Sequence, residues 1–129
     1  MSTTPAPRFT VEAIDLFERD VVLRMPFRFG VVTLTRSPQA YARARIRLAD
    51  GRVGEGMAAE LLAPKWFDKN PALSNEDNFD HLRAALRLAR ELYLDGASDT
   101  AFGHFARHYA DQLERATQRA LVPLSLIHI

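Results

Sequence analysis

His104 and His108 have the spacing that a metal site on a helix would use, two imidazoles four positions apart and therefore on one face. Asp111 and Arg115 lie near them in the sequence. A zinc-protease helix also needs a glutamate straight after the first histidine, and Phe105 stands there. The pair falls opposite the apolar seam through Phe102, Tyr109 and Leu113, so a solvated polar face is expected and no metal is assigned. His81 is a single helix residue with no partner in view. The chain has no cysteine, which excludes a disulfide scaffold, a thiolate metal site and cysteine catalysis. There is no Ser-His-Asp ordering, phosphate loop or inward carboxylate pair. No catalytic residue is assigned.

Arg43, Arg45 and Arg47 with Tyr41 form a basic row bearing an aromatic, which could track a nucleic-acid backbone. Against this stand 17 Lys and Arg, 16 Asp and Glu and a net charge of +1. Glu12, Asp15 and Glu18 in a neighbouring strand could pair with the arginines across a sheet, so no nucleic-acid partner is expected. Hydrophobic residues at 47% and charged residues at 26% over 129 positions fit one globular domain. No apolar run approaches the ~20 residues of a membrane span, and the first residues carry no secretory pattern. A cytoplasmic domain without a membrane partner is the default.

The elements that must position these groups are strands first and helices afterwards. Phe9 to Leu23 reads as a long strand with a bulge near Phe17 to Arg19, where its alternation breaks. Ala40, Ala42, Ala44, Ile46 and Leu48 alternate with Tyr41, Arg43, Arg45 and Arg47 in a strict period of two. Asp50-Gly51 suits a tight hairpin turn, and Arg52 to Glu60 returns as a third strand. Arg24 to Gly30 reads as a loop, and Val31 to Thr35 as a further short strand or the lead-in to the second. Ser74 and Asp77 have the form of a capping box. The helix after it carries Phe79, Leu82, Leu86, Ala89 and Tyr93 on one stripe, widened by Ala85, Leu88 and Leu92. Asp95-Gly96 ends it. A second helix, started by Asp99 or Thr100, carries Phe102, Phe105, Tyr109, Leu113, Ala116 and Ala120. The fold class is α+β, an antiparallel meander of three strands, or four, followed by helices.

Residues 1–8 carry two prolines and no hydrophobic pattern and read as a flexible leader. Residues 124–129, Leu-Ser-Leu-Ile-His-Ile, match codon for codon the transposon end used in tagmentation sequencing libraries, CTGTCTCTTATACACATC. They read as a sequencing-adapter tail, His128 included, and are set aside from fold reasoning. The expectation is then a natural sequence that stops near Pro123, with one domain over residues 9–123, at the front of a longer protein.

RMPFRFG (Arg24 to Gly30), ADGRVGEG (Ala49 to Gly56) and LAPKWFDKNPALSNEDNF (Leu62 to Phe79), in this order, resemble the N-terminal capping domain of the enolase superfamily. The branch they are most similar to is the mandelate racemase and muconate-lactonising type. Relatives often carry an acidic residue straight after Gly-x-Gly; Met57 stands there in this chain, with Glu55 between the glycines and Glu60 further on. The resemblance implies a parent enzyme whose chemistry sits in a following (β/α)-barrel. There carboxylates would hold Mg²⁺, and a lysine or histidine base would remove a proton beside a substrate carboxylate. The piece in hand would hold no cofactor and no metal ligand. Its partners would be that barrel and, through it, a small carboxylate substrate, in a parent that could be a homo-oligomer.

Two segments are candidates for facing the substrate. In Arg24 to Gly30, Phe27 and Phe29 could exclude water while Arg24 or Arg28 pairs with a carboxylate; the alternative is a connecting loop with its aromatics on the core. Pro64 to Lys69 holds Lys65 and Trp66, the only tryptophan, and by resemblance is the second loop reaching the barrel mouth. Its alternative is a plug between sheet and helices. A severed cap should expose apolar surface around Ala85, Leu88 and Leu92. The competing reading of the whole chain is a complete small α+β binding module.

Overall fold

The strict alternation of Ala40 to Leu48 sits in a central strand. β2 (Val32–Leu48) is flanked by β1 (Phe9–Phe29) and β3 (Val53–Leu61), and α1 (Asn75–Tyr93), β4 (Ser98–Asp99) and α2 (Ala101–Gln118) follow. The computed structural model describes residues 3–66 and 69–119, so Ala120 and the tail at 124–129 lie outside the described residues. The sheet is antiparallel in the order β3-β2-β1-β4, and two helices beside it make the class α+β. The fourth strand is not Val31 to Thr35, which leads into β2. It is Ser98–Asp99, which returns after α1 to pair with Thr10 and Phe9.

The alternation divides the sheet into two faces. Ala42 shares the helix side with Ile14 and Leu16, and Arg43, Arg45 and Arg47 are exposed on the other. There Arg43 meets Asp15 at 2.9 Å and Arg45 meets Glu12 at 3.4 Å, while Arg47 also pairs with Glu12. Each arginine of the row thus has a carboxylate partner within the sheet, Arg45 and Arg47 sharing Glu12. Glu18 is the exception to the expected pairing, because its register partner is Ala40 and it turns toward α1.

The bulge expected near Phe17 is absent, and register shifts fall between Val11 and Ala13 and between Val22 and Phe27. At the first, Glu12 is the extra residue, with two arginines to satisfy. The second contains Pro26, which has no N–H for the ladder. Pairing stops over Leu23 to Pro26 and resumes from Phe27 to Phe29, so Arg24 to Phe29 is extended strand that ends in a turn at Gly30, with φ of +56°. The loop expectation for this segment is corrected accordingly: Phe27, Arg28 and Phe29 recover partners in Leu34, Thr33 and Val32.

Pro38 inside a central strand is accommodated by a substitution of donors. The Leu62 N–H donates to the Pro38 carbonyl at 2.9 Å, but proline cannot return the bond. The buried Ser37 hydroxyl donates instead to the Leu62 carbonyl at 3.0 Å. This pair anchors the chain as it leaves β3.

The capping box opens α1. The Ser74 hydroxyl accepts the Asp77 N–H at 3.0 Å, and the Asp77 carboxylate accepts both the Ser74 hydroxyl and the Ser74 N–H at 2.8 Å; the hydroxyl first and the N–H second hold that carboxyl below its ordinary range. One end of α1 packs Phe79 against Ala40 and Leu62. The other buries Ala85, Leu88 and Leu92 against Ala116 of α2. These three are therefore not exposed, a correction: the second helix covers them. Apolar exposure lies elsewhere, at Met25, Phe27, Val31 and Trp66 around the hairpin end, and at Phe102 and Phe105.

The helix α2 is rotated from its expected orientation. Thr100 caps it, but Phe102 is 75% exposed, whereas His104 and His108 are 1% and 6% exposed. The solvated histidine face is corrected to a buried one. His104 stacks near Phe9 at 4.9 Å and donates from Nε2 to the Phe9 carbonyl at 2.8 Å; His108 lies 5.2 Å from the Tyr93 ring. The Phe9 carbonyl at the start of β1 takes its donor from His104 and so holds that ring inward. No helix among the described residues is long and apolar enough to cross a membrane.

Candidate functional site

The long β1–β2 hairpin carries its aromatic end to the segment that follows β3. Phe27 and Phe29 are two apart on one strand face, with ring centroids 5.5 Å apart. Trp66 meets Phe29 edge-on, at 5.4 Å and 71°. Beside them opens a cleft of about 760 Å³, lined by Phe29, Thr33, Lys65, Trp66, Lys69 and Asn75 among others. Two segments more than thirty residues apart in sequence therefore build one concave site.

Lys65 shapes this site from within. Its backbone is in the left-handed region, φ +60°, which strains a residue with a β-carbon. Its ammonium donates to the carbonyls of Asn70 at 2.8 Å and Leu73 at 2.5 Å, closing the segment on itself just before the α1 cap. That charge is committed to the loop. Lys69 is the second cation on the cleft wall and is exposed.

Of the six residues singled out from the sequence, Phe29, Lys65 and Trp66 line the cleft. Phe27 lies behind Phe29 and is 53% exposed. Arg28, between the two phenylalanines, falls on the opposite strand face, and Arg24 lies in the unpaired stretch before Phe27; both are exposed and neither lines the cleft. Lys69, Thr33 and Asn75 had not been singled out. Lys69 belongs to the flagged segment, and its charge was the available signal; Thr33 and Asn75 carried none.

A second, shallower groove of about 380 Å³ runs between the sheet and the helices, walled by Ile14, Leu16, Leu86, Tyr93, Phe105 and Tyr109. Its lining is mainly apolar, with Arg90 and Gln112 the polar exceptions beside the two tyrosines. Burial raises the Tyr93 phenol above its ordinary range. The groove offers packing rather than chemistry.

No family model matches the chain, and no curated protein matches it. Among solved structures it is similar to a mandelate racemase/muconate lactonizing protein from Herpetosiphon aurantiacus, with 20% identity, 91% of this chain covered and a TM-score of 0.41. The chain spans 28% of the length of that structure.

Proposed function

We propose that this chain is the N-terminal capping domain of a racemase-like enzyme of the enolase superfamily, closing over the mouth of a (β/α)-barrel outside these 129 residues. The observation that carries this reading is the convergence of the Phe29 hairpin end with Lys65, Trp66, Lys69 and Pro71 on one cleft. Those segments belong to two of the three stretches that bear the resemblance. Exposed Met25, Phe27, Val31 and Trp66 around it supply apolar surface suited to a covering partner.

The cleft suits a small carboxylate. Lys69 would pair with the substrate carboxylate, Lys65 would hold the loop in shape, and Phe29 with Trp66 would exclude water and so strengthen that pairing. None of the described residues that line the cleft is a carboxylate, so the described lining offers no oxygen-rich ligand set for Mg²⁺. The metal that stabilises an enediolate in such enzymes would be held by the barrel. The parent reaction would be proton abstraction beside a carboxylate, of racemase or dehydratase type, in a cytoplasmic enzyme that could assemble as a homo-oligomer.

The first test is to sequence the source DNA across the codons for Leu121 to Ile129 and onward. A frame that continues into alternating strand and helix segments with metal-binding carboxylates supports the reading; a stop codon directly after Ile129 overturns it. In the barrel-bearing enzyme, Trp66→Ala and Lys69→Ala should each raise KM more than they lower kcat, since neither residue carries the proton. The core of Leu88, Leu92 and Ala116 favours a second reading, a self-sufficient α+β binding module. The stop codon is the result that module requires.

A further inference from the structure

The junction of α1 and α2 buries two imidazoles beside a carboxylate, away from the cleft. Asp95 follows the end of α1, His104 and His108 share one face of α2, and each presents a ligand atom within 4.8 Å of the other two. We propose that Asp95, His104 and His108 form a binding site for one divalent transition-metal ion, Zn²⁺ foremost, that ties α2 to the end of α1 and the start of β1.

The argument rests on what the two rings lack. His104 is 1% exposed, and its Nε2 proton is committed to the Phe9 carbonyl at 2.8 Å. A neutral ring then carries its lone pair on Nδ1, and that atom is buried with no hydrogen-bond partner. One nitrogen tethered to a backbone carbonyl and the other left with an unshared lone pair is how a metal-binding histidine is oriented. His108 is 6% exposed, and its Nε2 lies 3.1 Å from the Asp95 carboxylate in an orientation that makes no hydrogen bond. A cation between them would satisfy nitrogen and carboxylate together.

The chemistry of the set selects the ion. Two imidazoles and one carboxylate suit Zn²⁺, Ni²⁺ or Cu²⁺ and not the all-oxygen preference of Mg²⁺ or Ca²⁺. Zinc bonds of about 2.0–2.2 Å in a tetrahedron place ligand atoms roughly 3.4 Å apart, so the site closes by small ring and carboxylate rotations. Water fills the fourth position, entering past Asp95, whose side chain is 30% exposed. Asp95 is also pre-set, because its Oδ1 accepts the Ala97 N–H at 2.9 Å while Oδ2 faces His108.

The test is titration of the tag-free full chain with Co²⁺, read by its visible d–d bands, and with Zn²⁺, read by calorimetry and by Tm. One ion per chain, tetrahedral Co²⁺ bands and a Tm that rises with Zn²⁺ are expected. Asp95→Asn keeps the Ala97 hydrogen bond and should fold, yet weaken binding by more than about tenfold, since loss of even an outer partner of a metal ligand costs ~10–100-fold. His108→Gln should abolish it, and His81→Gln should leave it unchanged. Absence of saturable binding, or binding that survives Asp95→Asn at full strength, overturns the proposal.

Discussion

Glu18 and Arg83 stand 65 positions apart and meet in a two-pronged pair, Nη2 to Oε1 at 2.6 Å and Nε to Oε2 at 2.8 Å, that joins the middle of β1 to α1. Arg83 also holds Asp80 at 2.8 Å. The hydrogen bonds from Arg83 keep the Glu18 carboxyl below its ordinary range. A carboxyl lowered in the folded state contributes stability that is present above the unfolded carboxylate range and is lost as pH falls through the folded value. Glu18→Gln should therefore lower stability by about 1 kcal/mol near neutral pH, the scale of a partly exposed bidentate pair. Urea denaturation from neutral pH downward should show the difference from the parent chain shrinking toward the acid end. A difference that persists there would assign the effect to shape, not charge.

Gly103 should resist the substitution that helix propensity recommends. Ala in place of Gly inside a helix ordinarily adds about 1 kcal/mol. Here the added methyl would overlap the Asp99 carboxylate, which is held by the Thr100 N–H at 2.8 Å and Arg107 at 3.0 Å. Those two contacts keep the Asp99 carboxyl below its ordinary range, the backbone donor contributing first. Gly103→Ala should lower Tm, and the same change in an Asp99→Ala background should raise it. Equal shifts in both backgrounds would refute the steric account.

Leu88 is fully buried between the helices, with Ala116 of α2 opposite. Leu88→Ala should destabilise by about 2–5 kcal/mol through lost burial and the cavity left behind. Phe105→Ala, at a site 47% exposed on the groove wall, should stay near the ~0.5 kcal/mol of surface changes. Guanidinium melts of both variants decide between an inter-helix core and a face awaiting another domain. A Leu88→Ala chain as stable as its parent would restore the latter.

What the sequence made legible was local. The Ser74–Asp77 box needs four consecutive residues, and the Ala40 to Leu48 alternation needs only its own period, so both stand where expected. The inward rotation of His104 depends on the Phe9 carbonyl 95 residues away, and no helical pattern contains that information. Met25 and Pro26 break the strand pattern locally, although Phe27 to Phe29 regain partners on β2 beyond them. At the cleft the aromatic residues could be named from their types. That Phe29 and Trp66 touch, and that Lys65 spends its ammonium on two carbonyls, are products of the tertiary path.

Trp66 is the single tryptophan, so its emission reports on the cleft alone. The residue is 56% exposed, and its ring meets Phe29 edge-on. Phe29→Ala removes that contact and should shift the emission to longer wavelength and raise acrylamide quenching, with little change in far-ultraviolet circular dichroism. The loss of an exposed-side aromatic pair should reduce stability by about 0.5–1.5 kcal/mol. Lys65→Met tests the other support of the cleft. Without the bonds to Asn70 and Leu73, the left-handed backbone at Lys65 is left unsupported, and relaxation of the segment should move Trp66 away from Phe29. The emission of Lys65→Met should then approach that of Phe29→Ala, and the double variant should add little to either, since both changes break one contact. Additive spectral shifts would mean that Lys65 and Phe29 position Trp66 independently, and the cleft would lose its status as one cooperative site.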